Sequence, residues 1–389
     1  MILENVNIIG NEEPADIRIC NGKIADVTLA SAKVKSGHLQ LAFSNAIAFP
    51  GLINSHDHLD FNLFPQFGTK TYNNYTEWGK HIQSAYKNEI AEILKIPARL
   101  RAEWGVYKNL LCGVTTVVNH GEKTGLGDSL INVFEDSHCL HSIHFEKKWR
   151  MKLNNPLKKE VPVNIHVGEG SDAFATEEID DLVRYNVLHR RLVGVHGVAM
   201  TPEQAAKFEA LVWCPESNYF LLNKTAEVGR LSEATNILFG TDSTLTGHWN
   251  IWEHIRLACK TGLLTDDALY KTLNQNPAKA WRLNAGSIAE GKDADIVVAR
   301  SSAEKTGLDA FYSAGAPDIL LVIHKGEIVL FDEVLKSKFQ GTDGKNFSSV
   351  YVAGCAKYVK GDLPALISKI RDYQPAANFP VTINEPVHA

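Results

Sequence analysis

Several kinds of segment are missing from this 389-residue chain. No run of about 18 apolar residues occurs, so no membrane-spanning helix is expected. The opening stretch, MILENVNIIGNEEPADIRIC, has neither the basic start nor the apolar core of a secretion signal. Lys+Arg total 40 and Asp+Glu 45, a formal net charge of −5. That balance offers no basic surface for nucleic acid or for an anionic membrane. The six cysteines (Cys20, Cys112, Cys139, Cys214, Cys259 and Cys355) form no C-x-x-C pair, so reduced thiols in a cytoplasmic protein are expected. Neither G-x-G-x-x-G nor G-x-x-x-x-G-K-[ST] is present, which leaves no nucleotide fingerprint. What the chain does have is 44% hydrophobic residues, enough for a large core, and 15 histidines whose placement is informative.

Two β-rich pieces flank a middle of different rhythm. Residues 1–48 read as short strands, with Asn21-Gly22 as a hairpin turn between apolar stretches. A similar pattern returns in DADIVVA (293–299) and in DILLVIHKGEIVLFDE (318–333), which turns at Lys325-Gly326. One small β-sandwich domain built from both chain ends (1–48 plus 285–340) is the economical reading. Between them, residues 49–284 alternate apolar runs with amphipathic stretches. TPEQAAKFEAL (201–211) reads as a helix with Thr201 as N-cap and Pro202 in its first turn. Strands alternating with helices mean parallel β/α units, and the length suits a (β/α)8 TIM barrel, distorted or regular. An open doubly wound sheet is the rival. Residues 341–389 read as an extension with a loop at GTDGKNFSS, one helix over 362–373 and an irregular, Pro-punctuated end.

The chemistry gathers at predicted strand ends. In FPGLINSHDHLD (49–60), His56 and His58 are two apart, so in a strand both point to one face and can converge on one metal ion. His166 ends the run VPVNIH, with Glu169 three residues on. His196 ends LVGVH, and Asp242 closes ILFGTD. Taken singly, each suits an ordinary backbone-bonded or capping side chain. Together they fall at the C-terminal ends of strands, where barrels place their active sites.

In these motifs the chain resembles the amidohydrolase superfamily, most of all the branch of cytosine deaminase, guanine deaminase and chlorohydrolase-like aminohydrolases. The matching text is PGLINSHDH, GVTTVV, the H-x-x-E of His166 to Glu169, His196, CPESNYFLL (214–222), FGTDS (239–243) and GSIAEGKDADIVV (286–298), across roughly residues 1–335. The resemblance implies that His56, His58, His166 and Asp242 hold one divalent metal, zinc foremost, with iron or manganese also compatible with such donors. It implies a metal that lowers the pKa of water towards ~7. Asp242 would take the water proton, Glu169 would protonate a ring nitrogen and then the leaving group, and His196 would orient the water. The implied activity is hydrolytic deamination of a small amino-heterocycle or amidine, in a homodimer, with no nucleic-acid or membrane partner.

The alternative is a cyclic-amide or amide-bond hydrolase whose two metals are bridged by a carboxylated Lys147 or Lys148, which lie in HSIHFEKKWRM (141–151). Only 108 residues separate His58 from His166, fewer than expected for the large deaminases, so relatives are a poor guide to substrate contacts. From position, the substrate-binding candidates are His120 after GVTTVVN, Trp78 in YNNYTEWGKHI, Asn218 after Cys214-Pro215, and His248 in TLTGHWN.

Overall fold

The computed structural model describes residues 1–30, 39–127, 130–339 and 346–383. The chain ends share one run of eleven strands. Ala46–Pro50 pairs antiparallel with Ile296–Arg300 and so joins the N-terminal strands to the C-terminal ones. The two expected hairpin turns are present: Asn21 and Gly22 have φ of 51° and 75°, and Lys325 and Gly326 have 46° and 79°. Positive φ at both central residues gives the twist that a two-residue hairpin needs. The turns also touch. A Cβ on Gly326 would stand 2.8 Å from Gly22 Cα, so the close approach requires glycine. Ile17, Ile19, Ala48, Ile296, Val298 and Ile323 fill the core of this sheet.

The middle of the chain contributes eight short parallel strands in two sheets. One sheet holds Leu52–Asp57, Val114–Asn119 and Asn132–Phe134. The other holds His138–Leu140, Val163–Val167, Leu192–His196, Ala210–Trp213 and Asn236–Phe239. Most are buried along their whole length, as strands covered on both faces are. The sheets meet where Thr241 and Asp242 donate their backbone N–H groups to the His56 carbonyl, both at 3.0 Å, and His58 donates to the Asp242 carbonyl at 3.0 Å. On the other side, Phe134 passes to His138 through three residues with no helix between.

Two local expectations need correction. The helix expected over 201–211 is the single turn Pro202–Ala205, capped reciprocally by Thr201 and Gln204. Ala210 and Leu211 instead begin a strand, because both are fully buried and extend the neighbouring ladder. Of the expected loop at 341–349, residues 341–345 lie outside the described residues, and Phe347–Val352 is a strand. It forms a hairpin with Cys355–Lys360 and extends the sheet past Glu327–Asp332. The expected helix is Leu363–Tyr373. Within the Pro-punctuated end, Val381–Thr382 adds a short strand, and 384–389 lie outside the described residues. Trp104 and Tyr107 of the helix Ala98–Leu110 receive this extension. Trp104 meets Phe379 edge-on at 4.9 Å, and the Tyr107 hydroxyl donates to the Lys360 carbonyl at 3.0 Å. No helix among the described residues is long and apolar enough to cross a membrane.

Candidate active site

Strand ends deliver the metal-ligating candidates to one point. His56 lies in the strand Leu52–Asp57 and His58 directly follows it; His166 lies in Val163–Val167, and Asp242 stands three residues past Phe239. The His166 Nε2 is 3.1 Å from His56 Nε2 and 3.4 Å from His58 Nε2. Asp242 Oδ1 is 3.6 Å from His56 Nε2 and 3.5 Å from His58 Nε2. Four donors bonded at ~2.0–2.1 Å around one tetrahedral ion would stand about 3.3 Å apart. These four spacings lie near that value, and His56, His58 and Asp242 together form a group able to hold a metal ion, with His166 beside it.

The electrostatics suit the same ion. Burial lowers the His56 pKa to about 4 and holds His166 well below the ordinary range, so both rings are neutral with lone pairs to give. Burial alone would raise the Asp242 carboxyl, but the hydrogen bond to His56 and the charges of His58 and His196 pull it well below its usual range. Its other oxygen, Oδ2, accepts from Ser217 Oγ at 2.7 Å and Thr246 Oγ1 at 2.9 Å, which aims Oδ1 at the histidines. Close packing permits this. A Cβ on Gly240 would stand 2.8 Å from His56 Cβ, so glycine is required in FGTD.

Glu169 and His196 stand beside this cluster. Glu169 Oε2 is 3.7 Å from His196 Nε2. Burial, followed by the charges of Asp242 and Glu178, raises the Glu169 carboxyl well above its ordinary range, which favours the protonated form. Asn218 Oδ1 accepts from His196 Nδ1 at 2.9 Å, while Asn218 Nδ2 donates to Thr225 Oγ1 at 3.2 Å. That pairing puts the His196 proton on Nδ1 and leaves Nε2 with its lone pair facing Glu169. His196 and Asp242 both have positive φ, 74° and 60°. Such strain in non-glycine residues gathers where side-chain aim matters more than local stability.

The substrate-binding candidates separate. Trp78 lines a cavity of about 580 Å3 directly above Glu169, His196 and Asp242. It belongs to the helix Tyr75–Ala85, whose first residue donates its N–H to the Glu169 carbonyl at 3.0 Å. His120 does not line that cavity. It is buried among the metal-ligating candidates, stacked on His166 at 4.2 Å and 20°, with both ring nitrogens unpartnered. His56, His120 and His166 form a second group able to hold a metal ion. Asn218, expected on the cavity border, lies beneath it and holds His196 instead. His248 is exposed and turned outward: its backbone N–H donates to Glu216 at 2.9 Å, and its Nδ1 accepts from Asn250. Lys147 and Lys148 are exposed and are not among the residues that line the cavity.

Sequence reasoning missed the support beneath the H-D-H motif. Asp57, between the two histidines, is fully buried. It accepts from Lys108 Nζ at 2.9 Å, Asn109 Nδ2 at 2.9 Å, Asn54 Nδ2 at 3.1 Å and Asn62 Nδ2 at 2.7 Å. Asp57 itself was visible as the centre of the motif, whereas Lys108 and Asn109 carry no mark that sets them apart from other helical polar residues. His141 and Phe145, both on the cavity wall, were also missed.

The amidohydrolase family model matches residues 149–329, the part that carries His166, Glu169, His196 and Asp242. A 5-methylthioadenosine/S-adenosylhomocysteine deaminase of Pyrococcus furiosus is 26% identical over 246 residues, 54% of this chain and 56% of that protein. The chain thus aligns with little more than half the length of that relative. A 5'-deoxyadenosine deaminase of Methanothrix thermoacetophila is 25% identical over 65% of this chain and 74% of its own. Among solved structures, an adenosine deaminase from Xanthomonas campestris with bound zinc superposes with a TM-score of 0.70 at 17% identity, covering 96% of this chain and 97% of that one. An atrazine chlorohydrolase from Arthrobacter aurescens gives a TM-score of 0.65 at 17% identity, over 84% and 94%. At that identity the likeness is one of fold. The family match covers less than half of the chain; with these relatives and the strand-end motifs, it makes the chain similar to the amidohydrolase family.

Proposed function

We propose that the protein is a metal-dependent aminohydrolase that removes an amino group hydrolytically from a small nitrogen-containing ring or amidine. The observation that carries this is the convergence of His56, His58, His166 and Asp242 at spacings of 3.1–3.6 Å beside a buried Glu169. A divalent ion held there supplies Lewis acidity and makes water acidic enough to deprotonate near neutral pH. Asp242 accepts that proton, because its carboxyl is held ionised. Glu169, held protonated, delivers its proton to the ring nitrogen, then takes the proton of the newly bonded hydroxyl and passes it to the departing amine, which leaves as ammonia; the proton left on Asp242 then restores Glu169. His196 presents its free Nε2 lone pair to the reacting centre because Asn218 fixes its tautomer. We assign His120 to the metal side of the site rather than to the substrate.

Zinc is the ion we favour, since the donors are imidazole and carboxylate, a set it commonly takes. We assign the parallel strands to a distorted (β/α)8 barrel over residues 49–284. The flanking sheet is assigned to a β-sandwich domain from 1–48 plus 285–340, with 341–389 as an extension docked on it. Elemental mass spectrometry on protein purified without chelator, together with ammonia release from a panel of amino-heterocycles, tests the reading. About one ion per chain and release of ammonia are expected. Metal-free protein, or two ions with amide cleavage and no ammonia, would overturn it.

A further inference from the structure

The cavity above the metal-ligating cluster has a chemistry of its own. Its walls are Phe61, Phe64, Trp78, Ile82, Phe145 and Leu245. The polar atoms of several lining side chains are already committed elsewhere. The Trp78 indole N–H donates to the Phe67 carbonyl at 2.7 Å, the Tyr75 hydroxyl to Glu178 at 2.7 Å, and the Thr246 hydroxyl to Asp242 at 2.9 Å. These residues therefore offer a ligand only their apolar surface. Among the described lining residues Lys80 is the one lysine, it is exposed, and no arginine is present. The acidic groups, Glu169 and Asp242, belong to the catalytic floor. Ser243, Gln83 and His141 remain as isolated polar groups.

A phosphate or carboxylate is usually met by a paired or forked cation, and a ribose diol by a convergent set of donors and acceptors. A wall that supplies neither leaves such groups desolvated and unpaired, at a cost that selects against them. Phe145, 49% exposed, and Leu94, 51% exposed, both line the cavity, so apolar surface is accessible there. We propose that the substrate is a neutral amino-azine bearing an apolar arm, an alkyl chain or aryl group, that packs against this wall, and not a nucleoside, a phosphate or a carboxylate.

This inference rests on the aminohydrolase reading, and the test separates the two. The metal-loaded protein is assayed for ammonia release from adenine, cytosine and a diaminotriazine. Each ring carries hydrogen, n-butyl, benzyl, ribosyl or carboxyethyl at a position remote from the reacting amino group. On the ring that is turned over, butyl and benzyl arms should exceed ribosyl and carboxyethyl by about tenfold or more in kcat/KM. Each added methylene should raise kcat/KM about fourfold until the cavity is full. Phe145→Ala should flatten that dependence, lowering the ratio of kcat/KM for the benzyl compound to that for the unsubstituted ring; an unchanged ratio would overturn the wall's role. Higher kcat/KM for the ribosyl or carboxyethyl compound would overturn the inference and leave the aminohydrolase reading standing. No ammonia from any ring, whatever its arm, would sink both.

Discussion

Lys108→Met tests whether the buried network under the histidine pair holds the metal site in shape. Lys108 Nζ bonds Asp57 Oδ2 at 2.9 Å and Asn62 Oδ1 at 2.8 Å, with the lysine side chain 2% and the aspartate 0% exposed. Removing one partner of a buried ion pair typically costs ~3–5 kcal/mol, because the remaining charge stays desolvated. Here Asp57 keeps three amide donors, from Asn54, Asn62 and Asn109, so a value near the lower end, about 3 kcal/mol, is expected. Urea unfolding of metal-free wild type and variant isolates this loss from metal linkage. Asp57 lies between two ligating candidates, so its displacement should also weaken metal binding about 10–100-fold, read by competition with a chromophoric chelator. Adding Asp57→Asn should recover most of the stability, since a neutral pair leaves no orphaned charge. A Lys108→Met protein within ~1 kcal/mol of wild type, with unchanged metal affinity, would show that the network is incidental.

Glu169→Gln should lower kcat by ~10²–10⁴ while the metal stays bound; full activity would remove Glu169 from the mechanism. His120→Phe should reduce metal affinity and leave KM unchanged, whereas a raised KM at full metal occupancy would return His120 to the substrate. Stripping the ion should cost about 4 kcal/mol of stability when free metal had stood near 1,000 times its Kd, seen as a chelator-dependent drop in Tm. Burial raises the Glu178 carboxyl from 4.5 to about 7. The folded protein therefore keeps a proton that the unfolded chain has lost. The contribution is fully present below pH 4.5 and falls by roughly 3 kcal/mol as pH rises to about 7. In urea titrations between pH 5 and 7.5, the stability of the wild type minus that of Glu178→Gln should fall by about this amount as pH rises; parallel curves would refute it.

How much of this site was legible depended on the distance over which its parts communicate. His56 and His58 announce themselves because a strand puts alternate residues on one face. His166, His196 and Asp242 could be singled out because apolar runs end at them, and a strand's end is a place that a local pattern marks. Asn218 lay within a matching motif, but only the fold shows its side chain bonded to His196 and absent from the cavity lining. His248 faces outward because its loop turns to cap the helix Ile251–Thr261 through Asn250. Lys108 had no local mark at all. It lies 51 residues from Asp57, in a helix where lysine ordinarily means a solvated face. The hairpin after residue 346 was hidden for the same reason. Val350 and Val352 alternate as a strand should, but the partner strand buries Lys357 against Asp332 at a position where an apolar residue would have declared the pattern. In both places a buried ion pair replaces the hydrophobic signal on which sequence reading depends. Such pairs bring no reliable gain in stability over apolar packing. Beside the metal-ligating candidates, however, the Lys108–Asp57 pair ties the helix Ala98–Leu110 to the residue between His56 and His58, a directional link that apolar packing does not supply.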